Sequence, residues 1–199
     1  YPKTSFDIPL ETLNTNIIGT ANLLESCKIL KQNEGYSPII HVCSSSEVYG
    51  KAKKGVLINE ESELNASSPY SLSKIGTDFL GRFYANAYSM QTFITRMGTH
   101  SGPRRSDVFF ESTVAKQIAL IENRLQEPTL LLGNLESIRT FQDCRDAVRA
   151  YQLLALAMEK GEIENGEYFN ISGNQKYKLD EVVKIFLSMS KVKKIKIIT

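Results

Sequence analysis

The chain has 199 residues, 42% hydrophobic and 23% charged, an ordinary globular composition and long enough for one well-buried domain. With 24 basic residues against 22 acidic, its net charge is only +2, too weak a field to favour nucleic acid or a membrane surface as partner. The three cysteines, Cys27, Cys43 and Cys144, show neither an even count nor a C-x-x-C spacing, so reduced thiols in a cytoplasmic protein are expected.

In chain order, Leu13, Ile17, Ala21 and Leu24 recur at helical spacing and predict an amphipathic helix over 9–32, ended by Asn33-Glu34-Gly35. Residues 39–43 are apolar but for His41 and read as a strand covered on both faces in a parallel sheet. A polar loop follows over 51–68. Pro69, a good first helical residue, opens a second helix ending near Ala87, and 91–96 reads as the next strand. Helices near 110–124, 144–160 and 179–189 then alternate with strands at 129–132, 168–171 and 195–198. No apolar run is long enough to span a bilayer. The alternation predicts an α/β fold, a doubly wound parallel sheet with helices on both faces. A softer change after Gly102-Pro103 divides the chain into 1–102 and a smaller region, 103–199, partly interleaved with the first.

A sheet of this kind that binds a dinucleotide carries G-x-G-x-x-G after its first strand. These 199 residues contain no such motif. Either the chain does not bind a dinucleotide, or the half that does lies upstream of Tyr1. Tyr1-Pro2-Lys3-Thr4 has no initiating methionine and no tag character, and the chain is expected to begin in mid-protein.

The chemistry gathers in two segments, Ser44-Ser45-Ser46-Glu47-Val48-Tyr49-Gly50 after the first strand and Tyr70-Ser71-Leu72-Ser73-Lys74 at the start of the second helix. A helix puts residues four apart on one face, so Lys74 can stand beside Tyr70 and stabilise its phenolate, which is otherwise scarce at neutral pH. Ser45 stands at a strand's carboxyl end, where open α/β sheets bind ligands, and its hydroxyl can hydrogen-bond the same substrate oxygen as Tyr70. Glu47 can act as a general base from the same turn. Taken singly, each has a plainer reading: a chance Tyr-x-x-x-Lys, a turn-forming serine, a solvated carboxylate. Their joint occurrence in this order favours the chemical one. Arg104, Arg105 and Arg139 suit a diphosphate, since a guanidinium meets phosphate oxygens with paired hydrogen bonds, although Arg104 and Arg105 read equally well as a solvated loop pair. His41 and His100 are lone histidines, and no metal is implied.

These segments, together with Ser5-Phe6, Pro9, the run from Asn16 to Glu25 and Ser67-Ser68-Pro69, resemble the extended short-chain dehydrogenase/reductase family of nucleotide-sugar epimerases and dehydratases over nearly the whole chain. Ser46-Glu47, His100 with Pro103-Arg104-Arg105, Leu132-Gly133-Asn134-Leu135-Glu136 and Arg139 are most similar to its GDP-mannose 4,6-dehydratase branch. The chain departs from that branch at Ser45, where Thr is usual, and at Thr140-Phe141, where Asp-Trp is usual. The resemblance implies a Rossmann-like domain that binds NAD or NADP, a smaller C-terminal domain that binds a nucleotide-diphosphate sugar, and a glycine-rich loop upstream. It implies catalysis by Ser45, Glu47, Tyr70 and Lys74, with Ser44, Tyr70 and Lys74 at the cofactor. Ser46, Thr99, His100, Arg104, Arg105, Arg139 and Asn174 would bind substrate, while Asn16 would orient the catalytic helix or a water. Epimerization and decarboxylation are the family's alternative reactions, with Glu47 arguing against a simple epimerase, and a non-catalytic fragment that keeps the fold without turnover is the third alternative. A homodimer or homotetramer is expected, sharing the face of Phe79 and Phe83.

Overall fold

The computed structural model describes residues 2–51 and 55–199. Along the chain come α1 (Pro9–Leu13), α2 (Gly19–Glu34), β1 (Ile40–Cys43), α3 (Pro69–Tyr88), β2 (Thr92–Met97), β3 (His100–Ser101), α4 (Phe110–Glu122) and β4 (Thr129–Leu131). They are followed by β5 (Ile138–Thr140), β6 (Gln142–Asp143), α5 (Cys144–Glu159), β7 (Glu167–Ile171), β8 (Lys176–Lys178), α6 (Leu179–Met189) and β9 (Lys196–Ile198). Two compact units result, Tyr1–Gly98 with Asp146–Ile171, and Thr99–Arg145 with Ser172–Thr199.

The first unit holds a parallel sheet in the order β1-β2-β7, with Cys43 opposite Thr95 and Met97 opposite Ile171. All six residues of β2, the middle strand, are buried, as its Thr-Phe-Ile-Thr-Arg-Met sequence allows only if the arginine finds a partner. Side chains alternate across β1: Ile40 and Val42 join a core with Leu24, Tyr84, Met90 and Ile94, while His41 stacks on Phe93 and packs against Tyr151 of α5. Helices therefore cover both faces of the sheet. Gly81 lets α3 come close, because a Cβ there would press on Val42 and Ile94 at 3.0 and 3.1 Å.

The single helix expected over 9–32 runs to Glu34 with one widened turn, Asn14–Ile18, of π type, the sort of interruption that concentrates at functional sites. Gly35, at φ +70°, caps it in the left-handed region that glycine enters at no steric cost. Ser68 and Ser71 form a capping box at the start of α3, with Pro69 in the first turn.

In the second unit Val114, Ile118 and Ile121 of α4, Leu130 of β4 and Val183 of α6 form a separate core. Its strands do not continue one large parallel sheet. They pair as β3 with β6 and β4 with β9, both parallel, and β5 with β8, antiparallel. Of these, β3, β5, β6 and β8 escape the sequence pattern, because these strands of two or three residues carry no apolar run such as marks the equally short β4 and β9.

Candidate active site

The first unit brings six of the expected residues, Ser44, Ser45, Ser46, Glu47, Tyr70 and Lys74, together at the carboxyl end of β1. After Cys43 the chain leaves the sheet with the Ser44 amide still bonded to Thr95 O at 2.9 Å, then turns through a short 3₁₀ segment, Ser46–Tyr49. Ser45 caps this turn, its Oγ accepting from the Glu47 amide at 3.2 Å. Gly50 closes it at φ +64°, packed so tightly that a Cβ would collide with the Asn65 carbonyl oxygen. Ser44 and Ser45 are buried, whereas Ser46 and Glu47 are exposed.

Tyr70 and Lys74 face this turn from the first two turns of α3. The Tyr70 phenol lies near enough to the Ser45 hydroxyl and to Glu47 for both to bear on its proton. The Lys74 ammonium donates to Cys43 O at 2.9 Å and lies 5.8 Å from the centre of the Tyr70 ring. Ser44 Oγ sits against Lys74 O at 3.4 Å. Asn16, in the π turn, donates through Nδ2 to Ser73 Oγ at 2.8 Å, and Ser73 Oγ donates to Tyr70 O at 2.7 Å, so Asn16 does support the helix that carries Tyr70. Buried Ser5 adds an acceptor for the Tyr70 amide at 3.1 Å.

Electrostatics here depart from the expectation that Lys74 makes Tyr70 acidic. Burial pushes the Tyr70 phenol above its ordinary range; the Ser45 hydrogen bond opposes this, and Glu47 and Cys43 add to the rise. Burial likewise pulls the Lys74 ammonium below its ordinary value, against the nearby Cys43. Desolvation outweighs pairing because Lys74 is bonded to a backbone carbonyl and not to the phenol oxygen. Tyr70 thus rests as a neutral phenol, beside a serine hydroxyl and a carboxylate.

Four further residues escaped the sequence reading: Tyr49, Glu60, Asp78 and Arg96 form a buried polar network behind the turn. One signal was present, a lone arginine inside an otherwise uncharged strand.

The other expected residues lie in the second unit. Thr99 O accepts from the Gln142 amide at 3.0 Å, and His100 pairs with Gln142 across β3 and β6. Arg105 is committed internally: it pairs with Glu111 at 2.8 Å, bonds His100 O and stacks 3.8 Å from the Phe109 ring centre. Arg104, at φ +70°, is exposed, as are Arg139 on β5 and Asn174 between β7 and β8. Arg139 stands opposite Tyr177 in the β5–β8 ladder and donates to Ile138 O at 3.0 Å. Among the described residues no group of three His, Cys, Asp or Glu side chains is placed to hold a metal, and no helix is long and apolar enough to cross a membrane.

The family model for GDP-mannose 4,6 dehydratase matches residues 1–198. The chain belongs to that family. Within it, GDP-6-deoxy-D-mannose reductase of Pseudomonas aeruginosa is 29% identical over 193 residues, 96% of this chain and 60% of that protein. The structure of RMD from Pseudomonas aeruginosa complexed with NADPH superposes with a TM-score of 0.89 at 28% identity, covering 100% of this chain and 65% of that one. A dTDP-glucose 4,6-dehydratase from Bacillus anthracis in complex with NAD gives 0.75 at 27% identity, covering 94% and 56%. The chain thus spans under two thirds of the length of each.

Proposed function

We propose that this chain supplies the catalytic turn and substrate unit of an NAD(P)-dependent nucleotide-sugar 4,6-dehydratase acting on a GDP-mannose-like donor. The observation that carries the reading is the gathering of Ser45, Glu47, Tyr70 and Lys74 at one strand end, with Glu47 close enough to Tyr70 to influence its proton. Dehydration needs two bases of different strength in one place.

Tyr70, a phenol at rest, first gives its own proton to solvent; as the phenolate, with Ser45 and Lys74 beside it, it takes the proton of the sugar 4-hydroxyl as that carbon is oxidised. NAD or NADP, when bound, accepts the hydride from C4 and later returns it. The residues present fit the nicotinamide-ribose end of that group. A lysine ammonium has three protons, of which Cys43 O holds one, and the neutral phenol offers a further donor at the carboxyl end of β1. The pyrophosphate end has no glycine-rich loop within these 199 residues. With C4 a ketone, the C5 hydrogen is acidic; Glu47 removes it as a proton and passes it to the departing C6 hydroxyl, which leaves as water, and the stored hydride is taken up at C6 with a solvent proton at C5. Arg104, Arg139 and Asn174 are exposed and serve the diphosphate sugar; Arg105, held by Glu111, shapes the loop beside them. Thr99, His100 and Ser46 keep the substrate-binding role that the resemblance implies. The exposed Phe79 and Phe83 face of α3 supports a homodimer or homotetramer.

A second reading is a nucleotide-sugar reductase, favoured by the 0.89 superposition on the Pseudomonas structure. Incubating the protein that carries this chain with NAD+ or NADP+ and GDP-, UDP- and dTDP-sugars, then weighing the products, separates the possibilities. Loss of one water from a GDP-hexose is expected. Gain of two hydrogens on a 4-keto sugar with NADPH means a reductase, loss of carbon dioxide a decarboxylase, and an unchanged mass with altered retention an epimerase. Tyr70→Phe should lower turnover about 10²–10⁴-fold while the fold melts as before. Glu47→Gln should stop elimination yet still permit cofactor reduction; an unimpaired Glu47→Gln sinks the dehydratase reading.

A further inference from the structure

Tyr70, Lys74 and Asp78 stand four residues apart, so one stripe of α3 carries all three. Asp78 is fully buried. Arg96, 2% exposed near the carboxyl end of β2, meets it with two bonds, Nε to Oδ2 at 2.8 Å and Nη2 to Oδ1 at 3.1 Å. The third nitrogen, Nη1, donates to Tyr49 Oη at 2.9 Å and to Glu60 O at 2.8 Å. A guanidinium can only donate, so the Tyr49 oxygen accepts from Arg96 and gives its own proton to Asn170 Oδ1, at 2.8 Å. The Asn170 amide in turn donates to Glu60 Oε1 at 2.7 Å, and the Asn65 amide donates to Val48 O at 2.8 Å. Arg96 is thereby tied on one side to the helix of Tyr70 and Lys74, and on the other to Tyr49, the last residue of the turn that carries Ser45 and Glu47.

A buried ion pair is not needed merely to hold a helix on a sheet, since apolar residues of the same volume pack as well or better. What they cannot do is fix the direction of a phenol's hydrogen bonds. We propose that Arg96, acting through Tyr49, is a positioning residue that holds the Ser45–Glu47 turn in place against Tyr70. Its catalytic consequence rests on the function proposed above; the holding itself does not.

The test is Tyr49→Phe, which removes one oxygen and leaves the ring, Asp78 and Glu60 to pack Arg96. In the 199-residue chain, hydrogen exchange is expected to quicken about tenfold at the amides of Glu47, Val48 and Gly50, which are bonded within the turn. Exchange in β2 and α3 should stay at the parent rate, and the melting temperature should move by about 2–4 °C. Arg96→Met combined with Asp78→Leu, which removes the buried pair, keeps an apolar filling and leaves only the partly exposed Arg82, Asp78's other partner at 3.1 Å, should loosen the same three amides. In the assay of the proposed reaction, Tyr49→Phe should lower kcat about tenfold with KM unchanged. Unchanged exchange at the three amides, or exchange rising equally throughout β2 and α3, overturns the positioning role; a loosened turn with an unchanged kcat overturns its catalytic consequence. Local loosening in a protein whose parent turns over no nucleotide sugar supports the positioning and overturns the proposed reaction instead.

Discussion

In the first unit Arg96 is 2% exposed and all three of its nitrogens are bonded, whereas in the second unit Arg104 and Arg139 lie at the surface and Arg105 is half-buried against Glu111. The same side chain is thus part of the framework in one region and, at Arg104 and Arg139, open to a ligand in the other. The difference follows from where each sits in the chain. Arg96 occupies the central strand of the parallel sheet, where a charge persists only if its fork is filled. Arg104 and Arg139 occupy a turn and a two-stranded edge, where water keeps them charged at no cost.

The comparison breaks most visibly at Asp78. Asp78→Ala leaves the Arg96 charge buried without its carboxylate and should lower the unfolding free energy by about 3–5 kcal/mol, read by denaturant titration. A loss below about 1 kcal/mol would mean that Arg96 is wetter than its burial indicates. Next in size, Glu111→Gln, which frees the half-buried Arg105, should cost about 1–2 kcal/mol.

Acid sharpens the contrast through a different buried group of the first unit. Burial between Phe93 and Tyr151, with Nε2 on Thr95 Oγ1 at 2.8 Å, drives the His41 pKa down to about 4 from 6.5. Between those values the unfolded chain binds a proton that the folded one refuses, so stability should fall as pH drops from 6.5 to 4. His41→Phe should flatten that part of the profile; an unaltered slope would assign the acid sensitivity elsewhere. The smallest effect is expected at the exposed arginines: Arg104→Gln and Arg139→Gln should each change stability by less than about 0.5 kcal/mol. In the proposed reaction they should raise KM for the nucleotide sugar, and an unchanged KM would remove them from the diphosphate site.

Much of this was legible in the chain itself. The apolar run before Ser44 and the Pro69 helix placed the Ser45–Glu47 turn and the Tyr70–Lys74 stripe correctly, because each depends on neighbours within a few residues. Leu179–Met189 was legible for the same reason, a clear helical period. The short strands β3, β5, β6 and β8 were not, since their pairing and not their composition makes them strands. Nor was the protonation bias of Tyr70, which the four-residue spacing to Lys74 suggested in the opposite sense.

By itself, then, the sequence determined the α/β alternation, the turn with Ser45 and Glu47, and the helical stripe of Tyr70 and Lys74, all products of local periodicity and turn chemistry. Tertiary structure alone decided what Arg96 does, because its partners Asp78 and Tyr49 are 18 and 47 residues away, and Tyr49 meets Asn170 across 121. It also decided that Arg105 belongs to Glu111 and that Tyr70 rests as a phenol. Those outcomes turn on burial and on which distant groups a desolvated charge or hydroxyl can reach, and packing sets both.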